Sequence, residues 1–373
     1  QFVTIKITSW ISVCRLVNYR MDTVVLARQD RQQQGPCEVE VCYGDEVDLH
    51  QHFVACDKNP GHQQFIPMDK FTMDNLPTTY RSDTLVDLIH ILAGVTVRVS
   101  TKRVSAARPT YYPGTEKPYP YSNTKVKDKM KMMTRVGTGW IFNVHMCPDE
   151  YGTEKTCSCT ECRNSPTPKT KFAHIFIYTA AHVVYDDIEA EHATCDLFYD
   201  SGATPESCSG VITLTGFTRS RCHAVKDQTR MTYVTHDLDL ANRLGNLLDR
   251  WIDLHCKLKD TLLLPVPCVE KSECCSVEHV PETKNKLTVI VSHPHGCSKK
   301  VSLGYCTNIA EMEDGYTQYT YTTDTCPGSS GAPVFLVGRS WRYFWAFVHI
   351  HCGNCEDNKK LNFSTYCLDE IPP

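Results

Sequence analysis

The rhythm of apolar positions changes near residue 136. Before it, the clearest pattern is Ser82-Asp83-Thr84-Leu85-Val86-Asp87-Leu88-Ile89-His90-Ile91-Leu92-Ala93-Gly94. A polar start, apolar residues at three- and four-residue spacing and a closing glycine predict a capped helix. Val95-Thr96-Val97-Arg98-Val99 then alternates as a strand, and a shorter alternation runs through Val39, Val41 and Tyr43. From Val136 onward the runs are short and β-rich: Gly139 to Val144, Phe172 to Tyr178, Val211 to Phe217, Leu287 to Val291, Tyr316 to Thr322, Pro333 to Val337 and Trp341 to His349. Gly, Pro, Asn and Asp separate them, and no regular alternation with long helices is visible. That texture predicts an all-β barrel or sandwich. Arg108 to Ser122, rich in Pro, Tyr and Gly, leads into Lys125, Lys127, Lys129 and Lys131. This reads as a solvated linker, with a basic binding strip as the alternative. The chain so divides into an N-terminal α/β extension, 1–122, of unassigned role, and a β domain, 123–373.

Charge narrows the partners. Over 373 residues, 39 Lys and Arg face 43 Asp and Glu, a net charge of −4. A nearly balanced chain has no footprint for a duplex or an anionic membrane, so neither nucleic acid nor membrane is expected as a partner. The longest apolar candidate, Leu85 to Val99, is broken by Asp87, His90 and Arg98, short of the ~18 to 20 apolar residues a spanning helix needs. Phe2 to Leu16 lacks the core and cleavage site of a signal peptide, and a start at Gln1 suggests a fragment or a processed chain. The 21 cysteines are many for a cytosolic protein, yet odd in number, so at least one thiol stays unpaired.

Three segments carry chemistry. In Asp324-Thr325-Cys326-Pro327-Gly328-Ser329-Ser330-Gly331-Ala332-Pro333-Val334, Ser330 has Gly two before and one after it. Small residues let the chain turn tightly, so that the amides of Gly328 and Ser330 can face one developing oxyanion. In Ile177-Tyr178-Thr179-Ala180-Ala181-His182, an apolar strand runs into two alanines and leaves His182 at its end with small neighbours, which suits a base that must touch nucleophile and substrate. In His236-Asp237-Leu238-Asp239-Leu240-Ala241, a carboxylate opens a short apolar run and could orient that histidine.

In the order His, Asp, Ser, these segments resemble the chymotrypsin-fold serine peptidases, from about Val136 to the C-terminus. Thr179 to His182, Asp237 to Leu240 and Gly328 to Pro333 match the family's three motifs. Gly137 to Ile141, and Ile290 to Gly296 with Val301 to Gly304, are similar to the openings of the two barrels in the HtrA/Deg branch. The resemblance implies two antiparallel six-stranded β-barrels and a serine endopeptidase. His182 is then the general base, Asp237 its orienting carboxylate and Ser330 the nucleophile, with an oxyanion hole from Gly328 and Ser330. Apolar residues follow Asp237 at offsets one, three and four, so it is preferred over Asp239, the alternative acid. Ser329 stands where trypsin-like enzymes have an Asp that pairs with a new amino terminus, which implies an enzyme not switched on by that cleavage.

The resemblance further implies a polypeptide substrate and no cofactor for catalysis. Asp324, six residues before Ser330, would floor a pocket for Arg or Lys, and His351, Cys352 and Gly353 would pair with substrate. Cys326 and Cys355 lie near the positions of a pocket disulfide. Cys147, Cys157, Cys159 and Cys162 crowd one insertion, where they could hold a structural zinc, form disulfides or stay free thiols. Cysteine usage leans toward an intracellular location. A non-catalytic peptidase homologue that binds peptides is the alternative function.

Overall fold

The computed structural model describes residues 34–122, 133–148, 155–262, 286–311, 316–339 and 349–368. Phe2 to Leu16, the alternate lysines from Lys125 to Lys131 and most of the run Trp341 to His349 lie outside them.

The described residues build two antiparallel sheets and few helices, as the strand texture predicts, though neither sheet has six strands. One sheet of eight strands runs β8 (Ile212–Thr215), β7 (Ala193–Leu197), β4 (Thr96–Thr101), β5 (Thr134–Cys147), β6 (Phe172–Ala180), β10 (Gln228–Thr235) and β9 (Arg219–His223), with β2 (Glu40–Cys42) also on β5. The nine-stranded sheet runs β1 (Gln34–Cys37), β15 (His351–Cys355), β16 (Asn362–Ser364), β13 (Tyr316–Tyr321), β12 (Lys300–Glu311), β11 (Leu287–Ser292) and β14 (Val334–Leu336). Here β17 (Cys367–Leu368) pairs with β13, and β3 (Ile66–Pro67) with β12. A division at residue 122 therefore does not separate two bodies. β4 lies inside the first sheet, and β1, β2 and β3 add to both, because the alternation from Val95 to Val99 needs strand partners that only the later chain supplies.

Helix α2 covers Asp83–Val95, as the pattern predicts, and a helix that the pattern does not announce, α1, covers Asp45–Val54. The Leu85 amide donates to the Ser82 hydroxyl at 3.1 Å, so Ser82 is the N-cap. Gly94 does not stop the helix; an added Cβ there would press on Leu247 at 3.1 Å, so the missing side chain lets a second helix approach. That second helix is the largest departure from an all-β reading. Two short helices, α3 (Thr160–Arg163) and α4 (Asp187–Glu191), precede α5, which runs through 25 residues, Leu238–Leu262. It buries Leu240, Ala241, Leu244, Leu248, Trp251 and Leu258, spacings of one helical face. Trp251 meets Phe335 edge to face at 5.1 Å between centroids, which ties α5 to β14. None of the described helices is long and apolar enough to cross a membrane.

Candidate active site

His182 ends the strand that β6 begins and is fully buried. Its Nδ1 lies 2.6 Å from the Asp227 Oδ2, and its backbone amide donates to the Asp227 Oδ1 at 3.0 Å. Asp227, buried and at φ 57°, closes the hairpin between β9 and β10, and its carbonyl accepts from the Ala181 amide at 3.2 Å. An Asp tolerates this left-handed backbone better than most side chains. Burial opposes a charged imidazole, but the Asp227 carboxylate outweighs it, aided by Cys37, and lifts His182 to about 10. Among the described residues the Nε2 of His182 meets no nitrogen or oxygen partner, and the Cys37 sulfur lies within 4.8 Å of the His182 and Asp227 donor atoms.

This corrects the choice of acid. Asp237 and Asp239 do not reach His182: Asp237 accepts the Leu240 amide at 2.9 Å and caps α5, and Asp239 is exposed on the same helix beside Asn242 and Arg243. Apolar residues one, three and four after an aspartate are equally the face of an N-capped helix, and that is what they are here.

A buried ionic network braces the turn holding His182. Glu189, whose α4 begins at the N-cap Asp186, takes Arg108 in a two-pronged pair at 2.7 and 2.7 Å and Arg135 at 2.9 Å. Arg108 also donates to the His182 carbonyl at 3.2 Å, and Arg135 to the Val183 carbonyl at 3.3 Å. Planar guanidinium forks fix position better than single charges, which suits a base that must not drift.

Ser330 lies on the turn before β14. Gly328 and Gly331 sit at φ +95° and +93°; a Cβ at Gly328 would come within 2.5 Å of the His293 carbonyl, and one at Gly331 would strike the Thr138 carbonyl. Thr138 ties the loop to the first sheet, its amide donating to the Ser330 carbonyl and its hydroxyl to the Gly328 carbonyl, each at 2.8 Å. Ser329 is buried, with its hydroxyl 3.0 Å from that of Ser292 and accepting the Cys326 amide at 3.3 Å. Among the described residues, the loop is thus held from within. The amides of Gly328 and Ser330 both point at one carbonyl oxygen, that of Glu38, at 2.8 and 3.1 Å. The Ser330 hydroxyl donates to the Cys352 carbonyl at 2.8 Å.

The strand predicted to pair with substrate is β15. The Cys352 carbonyl accepts the Glu38 amide at 2.9 Å, and Gly353 registers with Cys37 of β1. The Glu38 side chain enters a pocket where His351 Nε2 meets its Oε2 at 2.7 Å and Lys58 Nζ pairs with its Oε1. Lys58 also donates to Asn362 Oδ1 at 2.8 Å. Burial favours the neutral acid, but Lys58 and His351 outweigh it and hold Glu38 at about 2. Burial pushes His351 below its ordinary value against the pull of Glu38. A neutral His351 donates its Nε2–H to Glu38 and accepts a hydrogen bond from the Tyr321 hydroxyl on Nδ1, 2.7 Å away. The pocket therefore holds an acid side chain, that of Glu38. Asp324 is half-buried, raised by burial against the pull of Lys58, and does not supply the floor for a basic side chain that the resemblance implies.

Among the described residues three groups bring metal-ligating atoms together: Cys37 with His182 and Asp227, and two groups of four. Cys157, Cys159 and Cys162, around α3, bring their sulfurs to 3.2, 3.8 and 3.5 Å from His236 Nε2. His236 completes the group in place of Cys147, which is buried against Cys157 and Cys162 but is not one of the four donors. The second group is Cys56, His62, His295 and Cys326, all buried. Cys326 and Cys355 are both thiols, and Cys326 faces Cys56 rather than Cys355.

The signals missed in sequence are those set by pairing. Gln228 registers with Ala180 across β10 and β6, which puts residue 227 beside the end of the histidine strand, but no local motif announces it.

No family model matches the chain, and no curated protein matches it. Among solved structures, the chain is similar to the active form of the Rv3671c protease from M. tuberculosis, at TM-score 0.34 and 13% identity over 76% of this chain and 82% of that one. It is similar to the serine endoprotease from Yersinia pestis at TM-score 0.33 and 12% identity, covering 78% and 63% of the two chains. The HtrA-type protease AlgW with tripeptide gives TM-score 0.34 and 8% identity, with 76% and 60% covered.

Proposed function

We propose that the protein is a serine endopeptidase with Ser330 as nucleophile, His182 as general base and Asp227 as its orienting carboxylate. The observation that carries this reading is the convergence of the Gly328 and Ser330 amides on a single carbonyl oxygen, beside the buried His182–Asp227 pair. Ser330 exchanges its bond to Cys352 for His182 Nε2 and attacks the carbonyl carbon. His182 takes the hydroxyl proton while Asp227 stabilises the imidazolium, and the two amides hold the oxyanion. The proton passes to the leaving amine, the acyl-serine ester forms, and water releases the acid by the same steps in reverse. A formed oxyanion hole favours this over a peptide-binding homologue.

Because the Glu38 carbonyl fills that hole, the test uses the full chain carrying Glu38→Lys, which sets a cation against Lys58 and frees the cleft. A fluorophosphonate probe is expected to label this chain and to fail when Ser330→Ala is added. Equal labelling of both would remove Ser330 from its role, and no labelling of either would favour the homologue.

Cys157, Cys159, Cys162 and His236 fit a structural zinc by their donor set, three soft sulfurs and one imidazole from a loop and a helix start. Zinc there would pin the polar insertion to the start of α5. Metal analysis of protein purified without chelator is expected to find it, and a zinc-free, folded chain would dismiss it.

A further inference from the structure

We propose that the chain is its own first substrate and cuts the Glu38–Val39 bond in cis, through a primary pocket selective for glutamate. The inference rests on the peptidase reading above. The segment before the bond is already bound as a substrate strand would be. β1 pairs antiparallel with β15, the Glu38 amide donates to the Cys352 carbonyl, and the Glu38 carbonyl oxygen occupies the oxyanion hole. The residue before it, Cys37, places its sulfur within 4.8 Å of donor atoms of His182 and Asp227 and 3.2 Å from the Tyr112 hydroxyl. Gln34 is held by Tyr366 at 3.1 Å and by Lys117.

The segment after the bond is anchored as firmly. Val39 is buried, and β2 follows at once, pairing Glu40 with Val136 on β5. Glu40 meets His295 Nδ1 at 2.6 Å. One scissile bond is therefore stretched between two sheets, with its carbonyl in the hole and its glutamate between His351 and Lys58. Docking both flanks within one molecule gives the advantage of an intramolecular reaction.

The step balances with water as its single co-reactant. Ser330 Oγ bonds to the Glu38 carbonyl carbon and its proton moves to His182. The C–N bond to Val39 breaks as His182 protonates the Val39 nitrogen. Water then hydrolyses the Glu38–Ser330 ester, leaving a carboxylate on Glu38 and a free amine on Val39.

The specificity follows from charge. An acid in this pocket gains an imidazole N–H and an ammonium, whereas an apolar or basic residue leaves Lys58 buried without its carboxylate. Since Lys58 belongs to the segment after the cut, the pocket survives processing and serves later substrates.

The full chain is followed by intact mass and N-terminal sequencing after synthesis. Wild type is expected to yield a new start at Val39 at a rate independent of protein concentration, with Ser330→Ala and Glu38→Lys intact. Lys58→Met should slow the cut by at least about tenfold, and wild type added to Ser330→Ala chain should not cut it. An intact wild type, with Glu38→Lys labelled at Ser330, would overturn self-cleavage and leave the peptidase reading standing. Intact wild type with no labelling would end both. A cut elsewhere, or one that persists in Ser330→Ala, would also overturn the proposal.

The geometry of the second cluster points, independently, to a buried zinc site of Cys56, His62, His295 and Cys326. The two sulfurs are 3.6 Å apart, beyond a disulfide and suited to two ligands on one ion, and His62 Nε2 is 3.5 Å from the Cys326 sulfur. His295 brings a donor atom within 4.8 Å of those of Cys56, His62 and Cys326, and its Nδ1 meets Glu40, the carboxylate support that a zinc-bound imidazole commonly has. Such an ion would tie the segment bearing Lys58 to the loop bearing Ser330. With both clusters loaded, the full chain should carry two zinc ions, falling to one in Cys56→Ser. Cadmium-substituted wild type should give two ¹¹³Cd resonances, which needs no variant. A single resonance, an unchanged zinc count in folded Cys56→Ser, or a Cys56–Cys326 disulfide in native protein would refute the site.

Discussion

Asp227 and Asp237 flank the same strand, β10, one just before it and one just after, and only the first touches His182. Asp237 has the sequence signature, an acid with apolar residues at the expected offsets, yet it caps a helix. Asp227 has no signature, being followed by Gln228, Thr229 and Arg230, yet the hairpin it closes returns it to the end of the histidine strand. The difference teaches that a three-residue period after an acid reports a local fold, whereas a catalytic acid is defined by what lies across the sheet.

The comparison can be broken in several ways, with peptide hydrolysis measured in the full chain carrying Glu38→Lys and self-cleavage in the wild type. The largest effect is expected from Ser330→Ala, a loss of peptide hydrolysis on the order of 10⁶-fold. Asp227→Asn should follow at about 10⁴-fold in kcat, because it leaves His182 without a charged partner and free to take the wrong tautomer. Asp237→Asn should stay within about twofold of the parent, since amide and carboxylate both cap helices. The pH dependence is gentler. His182 works only when neutral, and in the closed cleft Asp227 and Cys37 favour its protonated form. Self-cleavage by the wild-type chain should rise with pH up to about 10, by roughly tenfold per unit below that value. A profile flat between pH 6 and 9 would remove the imidazole from the rate-limiting step. The smallest effect belongs to Asp237→Ala, which should cost about 1 kcal/mol of stability in a denaturation midpoint and leave kcat alone.

What was legible in sequence is what local pattern determines. The helix capped by Ser82, the small-residue turn around Ser330 and the histidine after a strand all lie in short segments whose spacing dictates their form. What was not legible depends on contacts between distant segments. Glu38 meets His351 across 313 residues and Lys58 across 20, so the side chain beside His351 was not legible when only Asp324 was considered. His236 joins three cysteines more than 70 residues earlier, and Cys147 seemed the nearer fourth ligand. The first turn of α5 was read as a catalytic segment because apolar residues follow Asp237 at offsets one, three and four.

The most direct measurement is the rate of fluorophosphonate labelling at Ser330 in the Glu38→Lys chain, compared with the same chain carrying Asp227→Asn or Asp237→Asn. The account predicts rapid labelling in the parent and in Asp237→Asn, and labelling slowed by orders of magnitude in Asp227→Asn. Rapid labelling in Asp227→Asn with its loss in Asp237→Asn would contradict it.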